Sequence, residues 1–273
     1  MHHTIFYVLK AMRPHQWYKN LVVFAGLIFG GVLFQPPVFL KSCAAFGIFC
    51  LLSGAGYLLN DVTDYSRDRL HPQKSTRPFA SGLLSKRDSL GSAFIIFMVG
   101  LLSASFITLE FALCAVAYTA LAVLYSLYLK HHIFIDVLTI SILFVIRAAA
   151  GAYAISVYLS PWLILCAFML ALFLALCKRT QSEVYPSLLL THVLTITTSL
   201  LIMSYCLYTF LRANQTMMIT IPVVMYGIFS VLRVLSSEDT QYKEAESIFF
   251  SRPLIITVLV WIIMAILIMY VWE

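Results

Sequence analysis

The sequence predicts an all-α integral membrane protein: one polytopic domain over residues 1–273, with nine transmembrane helices and active-site loops on the cytoplasmic side. Three observations predict it. Hydrophobic residues make up 62% of the chain and charged residues 11%, against about 45–50% and about 25% in soluble domains. The apolar residues fall in runs of about twenty, the length a helix needs to cross a bilayer. The basic residues gather on one side of those runs, as the positive-inside rule requires.

The spans follow in order. The first, Trp17–Phe34, comes after Arg13 and holds Lys19 near its start, lacks a small-residue cleavage site and reads as an uncleaved anchor. Trp17 and Tyr18 suit an interfacial belt, and Gly26 and Gly30 form a GxxxG packing surface. The second, Phe39–Leu59, carries Gly54 and Gly56, small residues that suit close helix packing or, second to that, a bend of the helix end around a ligand. The third and fourth, Ser89–Leu109 and Phe111–Leu129, meet at Glu110 and predict a tight helical hairpin. The fifth, Ile133–Ala154, holds Asp136 and Arg147 eleven positions apart. That is about three turns, too far for a direct pair in a straight helix. Arg147 therefore needs a polar partner on a neighbouring helix. The sixth, Pro161–Leu176, leads into Lys178 and Arg179, and Leu188–Leu211, Met217–Leu235 and Leu254–Val271 complete the set. Six cysteines lie scattered without CxxC spacing, as buried apolar residues do.

With the N-terminus inside, fifteen basic residues fall on the cytoplasmic side, from Lys10 and Arg13 to Lys243 and Arg252. The outer side receives only Lys41 and Arg212, and Glu273 lies outside. The expected location is a membrane that the chain crosses many times. The net charge of +6 follows from this topology and from anionic lipid; it is no sign of nucleic-acid binding. The two long inner loops predict a cytoplasmic working face.

The chemistry is concentrated at Asn60-Asp61-Val62-Thr63-Asp64-Tyr65-Ser66-Arg67-Asp68, which opens a loop over about residues 60–88. In a continuing helix Asp61, Asp64 and Asp68 share one face and repel each other. A divalent cation relieves that repulsion, and oxygen ligands beside a phosphate substrate suit magnesium. Arg67, Arg69, Lys74 and Arg77 follow, ready to neutralise phosphates. Lys19 and Asn20 enter the first span as polar residues and are candidates for substrate contact. Lys130 suits either lipid snorkelling or phosphate binding. The Lys178–Arg179 pair suits either the helix dipole or phosphate binding.

Asn60-Asp61-x-x-Asp64-x-x-x-Asp68 resembles the first aspartate-rich motif of the UbiA-type prenyltransferase superfamily. The stretches Arg13–Phe24, Arg67–Pro78 and Tyr125–Lys130, with Asp136, Arg147-Ala148 and Ala150-Gly151 downstream, are similar to its decaprenyl-phosphate phosphoribosyltransferase branch. Glu238-Asp239 before the last span extends the match.

The resemblance implies a UbiA-type helical bundle that moves 5-phosphoribose from 5-phosphoribosyl 1-diphosphate to a decaprenyl-like polyprenyl phosphate, releasing diphosphate. It makes Asp61, Asp64 and Asp68 catalytic, with Asn60, Asp61, Asp64 and Asp68 as magnesium ligands. It makes Lys19, Asn20, Lys74, Arg77, Tyr125, Lys130, Asp136, Lys178 and Arg179 the substrate-binding set. One departure stands out: where aromatic prenyltransferases carry a second aspartate motif, this chain reads Cys177–Glu183, with two bases and one acid. Two other readings remain open: prenyl transfer from a prenyl diphosphate to an aromatic or lipid acceptor, and a membrane transporter or scaffold. Homo-oligomerisation is also left open.

Overall fold

The computed structural model describes residues 2–180, 182, 184–211, 215–236 and 251–271; Glu183, Glu238, Asp239 and Glu273 lie outside them. Every regular element among the described residues is a helix. Eight stretches are long and apolar enough to cross a membrane: Pro36–Thr63, Lys86–Ser105, Leu109–Leu127, Ile135–Ala154, Pro161–Arg179, Ser187–Leu211, Gln215–Ser236 and Arg252–Tyr270. They correspond to the second through ninth expected spans.

The first expected span takes a different form. Trp17–Phe34 is not one α-helix: after α1 (His2–Ala11) the chain winds into a 3-10 helix over Pro14–Phe24, then into the short α2 (Ala25–Phe29). Gly30 caps α2, and Gly31 turns the chain away at φ +70°. The polar Gln16 and Asn20 take buried positions along the 3-10 segment, so no uninterrupted apolar α-helix forms there. Among the described residues eight of the nine expected spans are single helices long and apolar enough to cross a membrane, and the first is wound as two short helices instead.

The chain divides into two compact units, Met1–Thr139 with Ile146–Tyr158, and Ile140–Val145 with Leu159–Glu273. In the first, α5 (Lys86–Ser105), α6 (Leu109–Leu127) and the 3-10 helix pack on the long α3 (Pro36–Thr63). The hairpin at Glu110 forms as expected. Thr108 caps α6 by accepting the Phe111 N–H at 3.1 Å, and Glu110 lies in the first turn. Phe49 of α3, fully buried, meets the rings of Phe111 and Tyr118 edge-on at 5.7 and 5.2 Å.

The GxxxG glycines pack where a side chain has no room. A Cβ on Gly26 would stand 2.8 Å from the Ala152 Cα, and one on Gly151 would overlap the Val23 carbonyl. This seam joins the 3-10 segment and α2 to the end of α7 (Ile135–Ala154). Gly54 serves the same purpose, as the packing reading expects, and α3 runs unbroken through Gly54 and Gly56 without the alternative bend. A Cβ there would come within 2.7 Å of the Met12 Cε. Without it, Ala11 and Met12 settle into a cluster with Leu58, Leu84 and Ala93.

The second unit holds α8 (Pro161–Arg179), α9 (Ser187–Leu211), α10 (Ile221–Ser236) and α11 (Arg252–Tyr270). Phe173 and Cys177, Leu201, and Ile228 with Val231 bring α8, α9 and α10 into one core. The Trp261 indole N–H donates to the Tyr205 hydroxyl at 2.8 Å, and that hydroxyl bonds Thr220. Such buried polar pairs between apolar helices hold them in register. All six cysteines are free.

Candidate active site

The acidic motif stands where α3 stops. Asp64 is the C-cap, at φ −93° and ψ 4°, and α4 (Tyr65–Leu70) starts immediately after it. The Asp64 N–H donates to the Asn60 carbonyl at 2.9 Å, and the Asp68 N–H donates to the Asp64 carbonyl at 2.9 Å. The break therefore costs little hydrogen bonding, yet it divides the acids. Asp61 and Asp68 are buried, each 3% exposed, while Asp64 is only partly covered.

Two arginines reach the buried pair. Arg13 follows α1 in a left-handed backbone conformation, φ 53° and ψ 64°, and pairs with Asp61 Oδ1 through Nη2. Its guanidinium lies 4.8 Å over the Tyr57 ring. Arg77 comes from the loop after α4, which folds back on itself. The Leu84 N–H donates to the Pro78 carbonyl at 3.0 Å, and Phe79 meets Tyr65 edge-on at 5.1 Å. This delivers Arg77 Nη1 to Asp68 Oδ2 and to within 3.5 Å of Asp61 Oδ1.

Asp64 belongs to a second group. Lys130 stands on the 3-10 turn Leu129–His131 that follows α6. Its Nζ donates to Asp64 Oδ1 at 2.7 Å, Thr63 Oγ1 at 2.7 Å and Asn60 Oδ1 at 3.0 Å. The Asn60 amide donates in turn to Asp64 Oδ2 at 2.8 Å. The expected four-ligand set thus splits into Asp61 with Asp68 and Asn60 with Asp64. Among the described residues no three His, Cys, Asp or Glu converge to hold a metal ion, because each carboxylate has drawn a cation of its own.

The other expected residues are placed as follows. Asn20 is buried, but its amide donates into α3, to Ser53 Oγ at 3.1 Å and Cys50 Sγ at 3.4 Å, rather than towards the carboxylates. Lys19 donates to Gln16 Oε1 at 2.9 Å. Lys74 is exposed on the loop, where the Lys74 and Gln73 N–H groups donate to His71 Nδ1. Tyr125 is half-buried on α6. Asp136 is buried in the first turn of α7 and accepts the Val137 N–H at 2.7 Å. Lys178 and Arg179 close α8 in the second unit, Lys178 exposed. Arg147, 9% exposed, finds its partner on a neighbouring helix as expected: Nη2 donates to the Tyr118 hydroxyl at 2.7 Å. Arg13 was outside the expected binding set; its only signal was its place at the head of the Arg13–Asn20 stretch.

A metal ion suits the buried pair. Both carboxylates already share one cationic nitrogen, and Asp61 Oδ2 is buried with no hydrogen-bond partner. Magnesium is commonly held by one or two carboxylates and completed by substrate phosphates, so two acids suffice.

Comparison with known proteins gives a consistent picture. The family model described as the UbiA prenyltransferase family matches residues 20–255. The chain is 34% identical over 224 residues to a decaprenyl-phosphate phosphoribosyltransferase of Mycobacterium tuberculosis, covering 75% of this chain and 74% of that one. It is 32% identical over 231 residues to the protein of that name from Mycolicibacterium smegmatis, covering 77% and 73%. The fold matches a UbiA homologue from Archaeoglobus fulgidus solved with GPP and Mg2+, at a TM-score of 0.75 and 16% identity, over 97% of this chain and 100% of that one.

Proposed function

The chain belongs to the UbiA prenyltransferase family, and from that premise we propose that this multi-pass membrane enzyme transfers 5-phosphoribose from 5-phosphoribosyl 1-diphosphate to a polyprenyl phosphate, with magnesium. The observation that carries the reading is the interleaving of acids and cations at the end of α3. Asp61 and Asp68 share Arg77, while Asp64 and Asn60 share Lys130. Such a site suits a metal ion and phosphate groups together. The identity with two phosphoribosyltransferases over about three quarters of each chain supports the choice of donor. So does the end of α8, where two cations stand instead of an acidic motif.

Asp61 and Asp68 would hold the magnesium, whose chemistry is to neutralise charge on the departing diphosphate. The remaining work falls to the chain. The bond from C1 of the ribose to the diphosphate breaks, and a bond from C1 to an oxygen of the lipid phosphate forms. The lipid phosphate is already an anion at neutral pH, so no side chain needs to remove a proton. Two mutually repelling phosphate groups must be held in line. Arg77 and Lys130 stand beside the carboxylates to do so, with Lys74 of the same unit as a further phosphate contact; Lys178 and Arg179 keep the phosphate-binding role that the family resemblance implies for them. The site opens to the cytoplasm in this reading, with the N-terminus inside and the C-terminus outside.

The test supplies purified protein with polyprenyl phosphate and either phosphoribosyl diphosphate or a prenyl diphosphate, and follows diphosphate release. Release from the sugar donor alone supports the proposal. Release from the prenyl donor, with an aromatic or lipid acceptor, replaces it with prenyl transfer.

A further inference from the structure

We propose that Arg13 is a binding residue for the substrate's diphosphate, and that in the ligand-free protein it occupies Asp61 in place of the metal ion. The inference rests on the proposed metal–diphosphate site and goes beyond it, by assigning a residue and a binding order.

Three observations carry it. Arg13 pairs with Asp61 Oδ1, while Asp61 Oδ2 stays buried and without a partner. A carboxylate half-satisfied in this way is an incomplete site rather than a finished structural ion pair. Arg13 also occupies a left-handed backbone conformation, φ 53° and ψ 64°. Residues with a Cβ seldom adopt it, and it collects at functional positions. Finally, the pair employs one of the five N–H donors of a guanidinium, whose planar face rests 4.8 Å over the Tyr57 ring. A guanidinium parked on a ring face can exchange a carboxylate for a phosphate with a small side-chain rotation, and its fork matches phosphate oxygens.

The charges then dictate how ligands enter. Asp61 and Asp68 are balanced by Arg13 and Arg77. A divalent ion entering alone must displace a guanidinium and leave excess positive charge in a buried site. A diphosphate entering alone adds like charge beside the two carboxylates. Together they cancel: the arginines pass to phosphate oxygens and free the carboxylates for the metal. Metal and diphosphate therefore favour each other's binding, and the coupling is reciprocal.

The test uses the purified full chain in nanodiscs, with Mn2+ as the metal probe, read by electron paramagnetic resonance, and inorganic pyrophosphate as the anion. Arg13→Asn removes the charge but tolerates the left-handed backbone. In that variant the affinity for Mn2+ alone should rise about tenfold, while pyrophosphate affinity at saturating Mn2+ should fall about tenfold. Arg13→Gln, which removes the charge and keeps more of the side chain, should show the same two opposite changes and serves as the decisive variant should Arg13→Asn not fold; Arg13→Lys, which keeps the charge, should leave the affinity for Mn2+ alone low. Opposite changes in the two affinities are the signature, since a merely structural residue would weaken both. If the parent binds Mn2+ and pyrophosphate but Arg13→Asn moves neither, or weakens both, the role of Arg13 is wrong and the site stands. If the parent binds no Mn2+ even with pyrophosphate present, the metal site itself is wrong and Arg13 falls with it.

Discussion

Lys130 Nζ lies 2.7 Å from Asp64 Oδ1, joining residues 66 positions apart in the sequence. The lysine side chain is only 7% exposed and the aspartate 20%. This pair ties the turn after α6 to the acidic end of α3, and the proposed function gives Lys130 a second role as a phosphate ligand. The two roles separate experimentally. Lys130→Met should raise the apparent KM for one phosphate substrate about tenfold. It should also cost about 1–3 kcal/mol of stability, because Asp64 loses its cation. Adding Asp64→Asn should restore the thermal midpoint and leave the KM high. Recovery of both would make the pair structural alone.

Asp61→Asn and Asp68→Asn keep the shape of each side chain and remove its charge. Each should insert and purify like the parent and lose about a hundredfold or more in turnover, the scale of losing a charge-stabilising group. Turnover of the parent should vanish on magnesium removal by a chelator and return on its addition. Turnover measured across a magnesium titration checks both statements, and parent-like rates for either variant at limiting metal would sink the metal assignment.

Met12, the residue before Arg13, packs on Gly54 of α3. Gly54→Ala should displace Met12 and raise the KM for the diphosphate donor, although the glycine itself lies away from the carboxylates. Gly91 is the control: a Cβ there meets nothing within 4 Å. On an open helix position, Gly91→Ala should stabilise by about 0.5–1 kcal/mol and leave kinetics unchanged. Thermal unfolding with steady-state kinetics on the two variants checks this.

Phe34 lies just before α3 begins, and Leu83 lies in the loop beyond α4 that carries Arg77; both are exposed. With the native cysteines replaced, an impermeant maleimide applied to intact bacterial cells should label Phe34→Cys at once. It should label Leu83→Cys only after permeabilisation. The reverse pattern would put the acidic loop outside and remove the cytosolic donor.

Much of this arrangement was legible in the sequence, for physical reasons. Spans two to nine appear as long apolar runs because a bilayer imposes length and composition on a helix. The hairpin at Glu110 appears because two span-length apolar runs meet there with almost no loop between them. Burial logic required a partner for Arg147, and Tyr118 supplies it. The 3-10 winding of Pro14–Phe24 was not legible, since hydropathy does not distinguish it from an α-helix and its seam with Gly151 lies far along the chain. The division of the acids was hidden for a similar reason. Spacing along a continuous helix put Asp61, Asp64 and Asp68 on one face. The cap at Asp64 and the distant cations Arg13, Arg77 and Lys130 decide which carboxylates stay together.

The most direct measurement of the central claim is product identification by mass spectrometry. Purified protein would be incubated with magnesium, phosphoribosyl diphosphate and a polyprenyl phosphate. The account predicts a lipid heavier by one phosphoribosyl group, formed with one diphosphate released, cleaved by mild acid at its anomeric phosphodiester, and absent when the polyprenyl alcohol replaces the phosphate. An unmodified lipid phosphate, alongside a prenylated aromatic acid made from a prenyl diphosphate by the same preparation, would contradict it.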